Sequence, residues 1–173
     1  MSTPSKAQLL QQLRSIQGNG LLIYLRAAAE AHGLPVGYVV AVASRETNCV
    51  NELGDYQGGQ YHGVGIMQRD IQHPEAKQAR DDGSWKTPAG IKLLVDADVE
   101  ELAQNCGTVR GYFDDVTEDD VLRIAADGYN DGISRALRDA NDGGDPDRHT
   151  TGHDYGEDVM ARKAVFDVLL GST

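Results

Sequence analysis

Glu46 has the surroundings that acid–base chemistry requires. It follows Ala43 by three residues and Val39 by seven, so at helical spacing it projects from the apolar face of its own segment. A carboxylate there loses hydration, and the negative end of the helix dipole lies beside it. Both effects raise its pKa, the condition for holding a proton near neutrality and giving it to a leaving group. Beyond that helix, Asp55 lies in a glycine-rich stretch and Asp70 follows Gly65-Ile66-Met67-Gln68. A protonated acid on one side of a glycosidic bond, with a carboxylate activating water about 6.5–9.5 Å away, is the pairing that cleaves glycosides with inversion. Each residue also has a plainer account. Glu46 is otherwise a buried structural acid paired with Arg45 or another arginine, and the two aspartates are otherwise turn residues among 27 acids.

The elements that must position these groups read as helix after helix, with one gap. Thr3-Pro4 reads as a cap with proline at the first helical position, ahead of Leu9, Leu10, Leu13 and Ile16. A second helix runs from about Leu21 to His32 and stops at Gly33; Pro35 opens a third, which carries Glu46 and ends near Thr47. Residues 50–66 hold five glycines, and Gly58-Gly59 between Gln57 and Gln60 predicts a two-residue hairpin turn. Thr87-Pro88 caps a long helix with Ile91, Leu94, Val95, Val99, Leu102 and Cys106 on its apolar face. Thr117 and Asp120 resemble a capping box for a helix ending at Gly128; a short helix carries Ile133, Ala136, Leu137 and Ala140. Residues 141–152 read as a polar loop before a last helix from about Asp154. The expectation is an α+β chain, predominantly α, with a small antiparallel β element around residues 55–66. It forms one domain over 1–173, with N-terminal helices in 1–33 and a core in 34–170.

Composition limits the partners. The chain of 173 residues has 40% hydrophobic and 25% charged residues and a formal net charge of −11. That charge excludes nucleic acid and anionic membrane surfaces as expected partners, and it opposes long-range steering toward any acidic polymer. No apolar run approaches the ~20 residues of a membrane span. The first twenty residues show no signal-peptide pattern. Two cysteines are too few for a disulfide scaffold; Cys106 sits on an apolar helix face, and a buried thiol is preferred to a bridge with Cys49. No metal or cofactor is expected. The stretch from Asp139 to Thr150 departs from an EF-hand at the fifth and twelfth positions, and His149 and His153 read as structural or solvated.

Four short motifs, in order, resemble the goose-type lysozyme and soluble lytic transglycosylase superfamily. Ser44-Arg45-Glu46-Thr47 ends an apolar helix and is similar to the family's Glu-Ser; Gly65-Ile66-Met67-Gln68 is similar to Gly-Leu-Met-Gln. Gly128-Tyr129-Asn130-Asp131-Gly132 is similar to Ala-Tyr-Asn-Ala-Gly, and Asp154-Tyr155 leading into 157–162 resembles the goose-type C-terminal helix. The motifs span Leu34 to Phe166. The resemblance implies a lysozyme-like fold and a cleft for N-acetylated sugars, with Glu46 as catalytic acid. It implies that Gly65, Ile66, Met67 and Gln68 wall the cleft, and that Tyr129, Asn130 and Tyr155 reach toward Glu46 and the sugar. The plainer account of the two tyrosines is core packing with a hydroxyl bonded to backbone.

Within the superfamily, lytic transglycosylases lack a second catalytic carboxylate, whereas goose-type lysozymes carry aspartates that position water. Gly54-Asp55 resembles the goose-type Gly-Asp, and Gln68-Arg69-Asp70 resembles Gln-Val-Asp, so the resemblance implies inverting hydrolysis with water oriented by Asp70 and Asp55. The substrate implied is peptidoglycan, cut between N-acetylmuramic acid and N-acetylglucosamine by a monomer that is secreted or acts at the cell wall. A chitinase, a lytic transglycosylase and a non-catalytic glycan-binding module are the alternatives. The loop between Asp55 and Gly65 is about four residues longer than the family pattern, Gly128 replaces the usual Ala, and Thr47 the usual Ser. His73 follows Asp70 by three residues instead of four, which affects its match to a sugar-contacting histidine.

Overall fold

The computed structural model describes residues 3–171; residues 1–2 and 172–173, the ends of the expected 1–173 domain, lie outside the described residues. Three helices come first: α1 (Lys6–Gly18), α2 (Leu21–His32) and α3 (Val36–Thr47). The cap of α1 is not Thr3 but Ser5. Its hydroxyl accepts from Gln8 N while the Gln8 side chain accepts from Ser5 N at 2.8 Å, and this reciprocal box outcompetes a start at Pro4. Tyr38, Val39, Val40, Ala41, Val42 and Ala43 of α3 are all fully buried, so α3 is the central rod of the core.

A three-stranded antiparallel sheet follows, β1 (Leu53–Gln57), β2 (Gln60–Val64) and β3 (Arg69–Asp70), in the order β1-β2-β3. Gln57 pairs with Gln60, and Gly58 and Gly59 both have positive φ (58° and 87°), as a tight hairpin turn requires. The β element therefore spans a little more than 55–66, since β3 returns along β2 with Gly63 opposite Asp70.

Next is α4 (Pro74–Asp82), a helix that the apolar pattern does not announce. Its only buried residues are Ala76 and Ala79, which pack with Val64 and Leu94 in a small second cluster beneath the sheet. A 3-10 turn (Ser84–Lys86) leads into α5 (Pro88–Tyr112), where Thr87 caps Gly90 N at 3.1 Å as its sequence implies. The remaining helices are α6 (Glu118–Asp131), α7 (Ile133–Asn141) and α8 (Tyr155–Leu170). Residues 141–152, read as loop, contain 3-10 turns at Pro146–His149 and from Thr151 to His153. The largest helix–helix contact in the molecule joins α3 to α8. The outcome is α+β and predominantly α. Cys49 and Cys106 are both buried and free, and burial pushes their thiols up to about 12 and about 11.

α6 does not stop at Gly128 but runs to Asp131, and α7 starts at once after Gly132. A Cβ on Gly128 would lie 2.9 Å from Ile133 Cα and 2.8 Å from its Cδ1. The glycine is there because α7 folds back onto α6 at that point. Gly128→Ala should therefore destabilise the protein by about 1–3 kcal/mol. Gly111→Ala, in α5 where a Cβ meets nothing within 4 Å, should be neutral or stabilising. Urea unfolding followed by circular dichroism compares the two; equal losses would remove the packing explanation.

Candidate active site

Glu46 sits on the last turn of α3, where the chain leaves the helix through Asn48 and Cys49, both with positive φ. Its carboxyl is pushed above the ordinary range by burial, and a hydrogen bond from the Tyr155 hydroxyl and the charge of Arg45 pull it only part of the way back. Arg45 is not its ion-pair partner. That guanidinium donates to Asp158 at 2.8 Å, to Asp154 at 2.7 Å and to the Thr151 carbonyl at 2.9 Å, with its carbon 5.4 Å from the Tyr155 ring centre. The two aspartates absorb the arginine, and Glu46 keeps only a tyrosine.

The sheet brings the aspartates over. A groove of about 500 Å³ is lined by Glu46, Asp55, Asp70 and Gln68, with His62 and Gly63. Adjoining it, a depression of about 200 Å³ shares Glu46, Gln68 and Asp70 and is closed by His73, Tyr129 and Asn130. Asp55 and Gln68 both hold left-handed backbone (φ 51° and 59°), rare outside glycine and concentrated where a site over-determines the chain. Gln68 lies across the first two strands at the facing pair Gly54 and Gly63. A Cβ on either glycine would come within 2.1 Å of Gln68 Oε1, and Nε2 donates to the Gly65 carbonyl at 2.8 Å. Two of the five glycines of residues 50–66 thus make room for one side chain.

The other candidates divide. Tyr129 donates to the Met67 carbonyl at 2.8 Å, and Asn130 Oδ1 accepts from Thr151 N at 2.8 Å. His73 precedes α4 with Nδ1 3.1 Å from Arg69 Nη2. Ile66 and Met67 send their side chains into the core, and the Ile66 carbonyl accepts from Thr47 Oγ1 at 2.8 Å, so neither lines the groove or the depression. Gly65 is buried at φ 88° with its N–H on the Glu52 carbonyl. Tyr155 is buried behind Glu46, its hydroxyl the contact.

Three residues of the smaller depression, Arg69, Asp98 and Glu101, were not singled out from the sequence. Asp98, on α5, is 1% exposed in the floor of the smaller depression, and burial pushes it up to about 8 in spite of the Arg69 charge. Arg69 is clamped by Glu75 at 3.0 Å, Glu101 at 2.5 Å and Asp98 at 3.4 Å. A signal for Asp98 existed. It lies four residues after Leu94 and four before Leu102, an acid on an apolar stripe as Glu46 is.

The arrangement places an acid whose pKa is raised beside two further carboxyl groups in an open groove, which suits hydrolysis of a polymer threaded through it. Among the described residues no helix is long and apolar enough to cross a membrane. No curated protein matches the chain. The family model described as "LysG: Lysozyme g" matches residues 22–168, which takes in every candidate site residue and leaves α1 outside. The chain belongs to the goose-type lysozyme family, muramidases that hydrolyse the glycan of cell-wall peptidoglycan.

Proposed function

We propose that the protein cleaves the β-1,4 bond between N-acetylmuramic acid and N-acetylglucosamine with inversion, as a monomeric, single-domain enzyme acting outside the cell that makes it. Glu46 gives its proton to the glycosidic oxygen while Asp70, with Asp55, orients water on the opposite face. The observation that carries this reading is the shared groove: the half-buried, hydrogen-bonded glutamate of α3 opens onto the same space as both aspartates. Gln68 lines that groove, and Tyr129, Asn130 and His73 line the depression adjoining it, as sugar contacts; Gly65, Ile66 and Met67 support this wall from behind, through the backbone turn that carries Gln68. The presence of both aspartates favours hydrolysis over the anhydro-forming route of lytic transglycosylases.

A second reading, chitin oligosaccharides as substrate, draws on electrostatics. Arg69, the one arginine or lysine among the residues that line the two depressions, is already matched by Glu75 and Glu101, so nothing in that lining offsets the net charge of −11. An uncharged glycan meets no repulsion there, whereas peptidoglycan cleavage should accelerate as salt screens the repulsion. Rates on both substrates across ionic strength, with mass spectrometry of the products, separate the readings; anhydro ends would replace hydrolysis by transglycosylation.

Glu46→Gln should lower kcat on cell walls by about three orders of magnitude while sugar binding, measured by calorimetry with a chitin oligomer, persists. A variant keeping half the wild-type rate would exclude the role. The alkaline limb of kcat/KM should report the loss of the Glu46 proton. The Tyr155 hydrogen bond stabilises the ionised form, so Tyr155→Phe should move that limb to higher pH. A limb that stays or moves to lower pH in a pH–rate titration contradicts the assignment.

A further inference from the structure

α8 starts at Tyr155 without a side-chain cap from its own N-cap residue, Asp154. Its first N–H groups are taken from a distance. Tyr155 N donates to Thr150 Oγ1 at 3.3 Å, and Glu157 N to Asp147 Oδ2 at 3.1 Å. Between them Gly156 N is shared by two carboxyl oxygens, Asp127 Oδ1 at 2.8 Å and Asp147 Oδ1 at 2.7 Å. Both aspartates are fully buried. Asp147 is further held by Arg123 Nη2 at 3.0 Å and by Thr150 Oγ1 at 3.1 Å, whereas Asp127 Oδ2 is buried with no donor. The approach is close enough to require glycine, since a Cβ on residue 156 would lie 2.3 Å from Asp127 Oδ1. Two carboxyl groups on one N–H in a dry site cannot both carry charge. A proton on the Asp127 carboxyl turns the pair's repulsion into a hydrogen bond between the two side chains.

We propose that Asp127 and Asp147 share one proton in a clasp that fixes the first turn of α8, and that they are thereby positioning residues for Tyr155 against Glu46. Neither touches the cleft. The catalytic half of the statement rests on Glu46 being the acid; the shared proton does not. Every group facing the pair fits. Asp147 is the ionised member: burial opposes its charge, but Asp127, Gly156 N, Arg123 and Glu157 N hold it below the ordinary range, at the positive end of the α8 dipole. Asp127 is pushed up to about 9, first by burial and then by Asp147. From its own helix it meets Arg123, which also bonds Asp145 at 2.7 Å. From α3 it meets Tyr38, neutral and donating to the Leu122 carbonyl at 2.9 Å, and from α8 it meets backbone N–H.

The sign follows from linkage. The Asp127 pKa is higher folded than unfolded, so its contribution to stability is complete below about 3.8 and is lost as pH rises through about 9. Asp127→Asn removes this dependence while its amide still donates to Asp147 and its carbonyl still accepts from Gly156. Melting temperatures of the wild type and D127N between about pH 5 and pH 10 should show a gap moving in favour of D127N, by at least about 5 °C, and levelling off above the Asp127 pKa. A flat gap overturns the shared proton, whatever the enzyme does. Asp147→Asn should release Tyr155 and move the alkaline limb of kcat/KM to higher pH as Tyr155→Phe does, with no further shift in the double variant. Asp147→Glu, which keeps the charge and displaces the carboxylate, should shift the limb the same way by less, and serves where D147N does not fold. Folded variants with an unmoved limb overturn the positioning role. An active Glu46→Gln enzyme with the melting result intact would instead remove only the catalytic half.

Discussion

An acid that must keep its proton near neutral pH has to be withheld from water, yet open to a substrate on one side. For Glu46 in its proposed role, the fold provides both by ending its most buried helix at the groove. α3 is sealed along nearly its whole length, so the last turn delivers Glu46 to the groove with apolar packing behind it. The polar ends of that packing are satisfied from α8: Arg162 donates to the Ser44 carbonyl at 2.9 Å and to its hydroxyl at 2.7 Å, and Asp158 bridges Arg162 and Arg45. A buried charge network of this kind is weak evidence for stability, because desolvation offsets much of the attraction. Here it fixes register. α8 cannot slide along α3 without breaking a bond to Ser44, Arg45 or Glu46.

The opposite wall works by backbone instead of by burial. A short sheet with left-handed residues at Asp55 and Gln68 turns its polar groups inward, and Gln68, lodged between two facing glycines, ties the hairpin base to the turn at Gly65. Tyr129 then fastens that turn to α6 through the Met67 carbonyl. Rigid helices supply the acid, and a braced ribbon supplies the carboxylates that face it.

Much of this was legible because the signals are local. Thr87-Pro88, Gly58-Gly59 and the Glu46 position each announce themselves within a few residues, through a cap, a turn that needs positive φ, and an acid on an apolar stripe. What failed to show was set by distance. α4 has only two buried alanines, which pack on Val64 and Leu94 from other elements, so no apolar stripe of its own marks it. Ile66 and Met67 belong to a motif whose pattern cannot tell side chain from backbone, and in the fold they turn inward. Asp127 and Asp147 look like two of many solvated acids until α6 and the turn before α8 converge on Gly156. Asp98 is the instructive omission. It carried the same signature as Glu46 on a helix read only for its apolar residues.

The two cysteines have a consequence of another kind. A thiol reacts as its thiolate, and Cys49 and Cys106 are closed off from solvent with acidities shifted far toward the unreactive form. They pack as small hydrophobes and cross-link nothing. The folded architecture therefore depends on no oxidant for a cross-link between these two thiols and offers none there for a reductant to break.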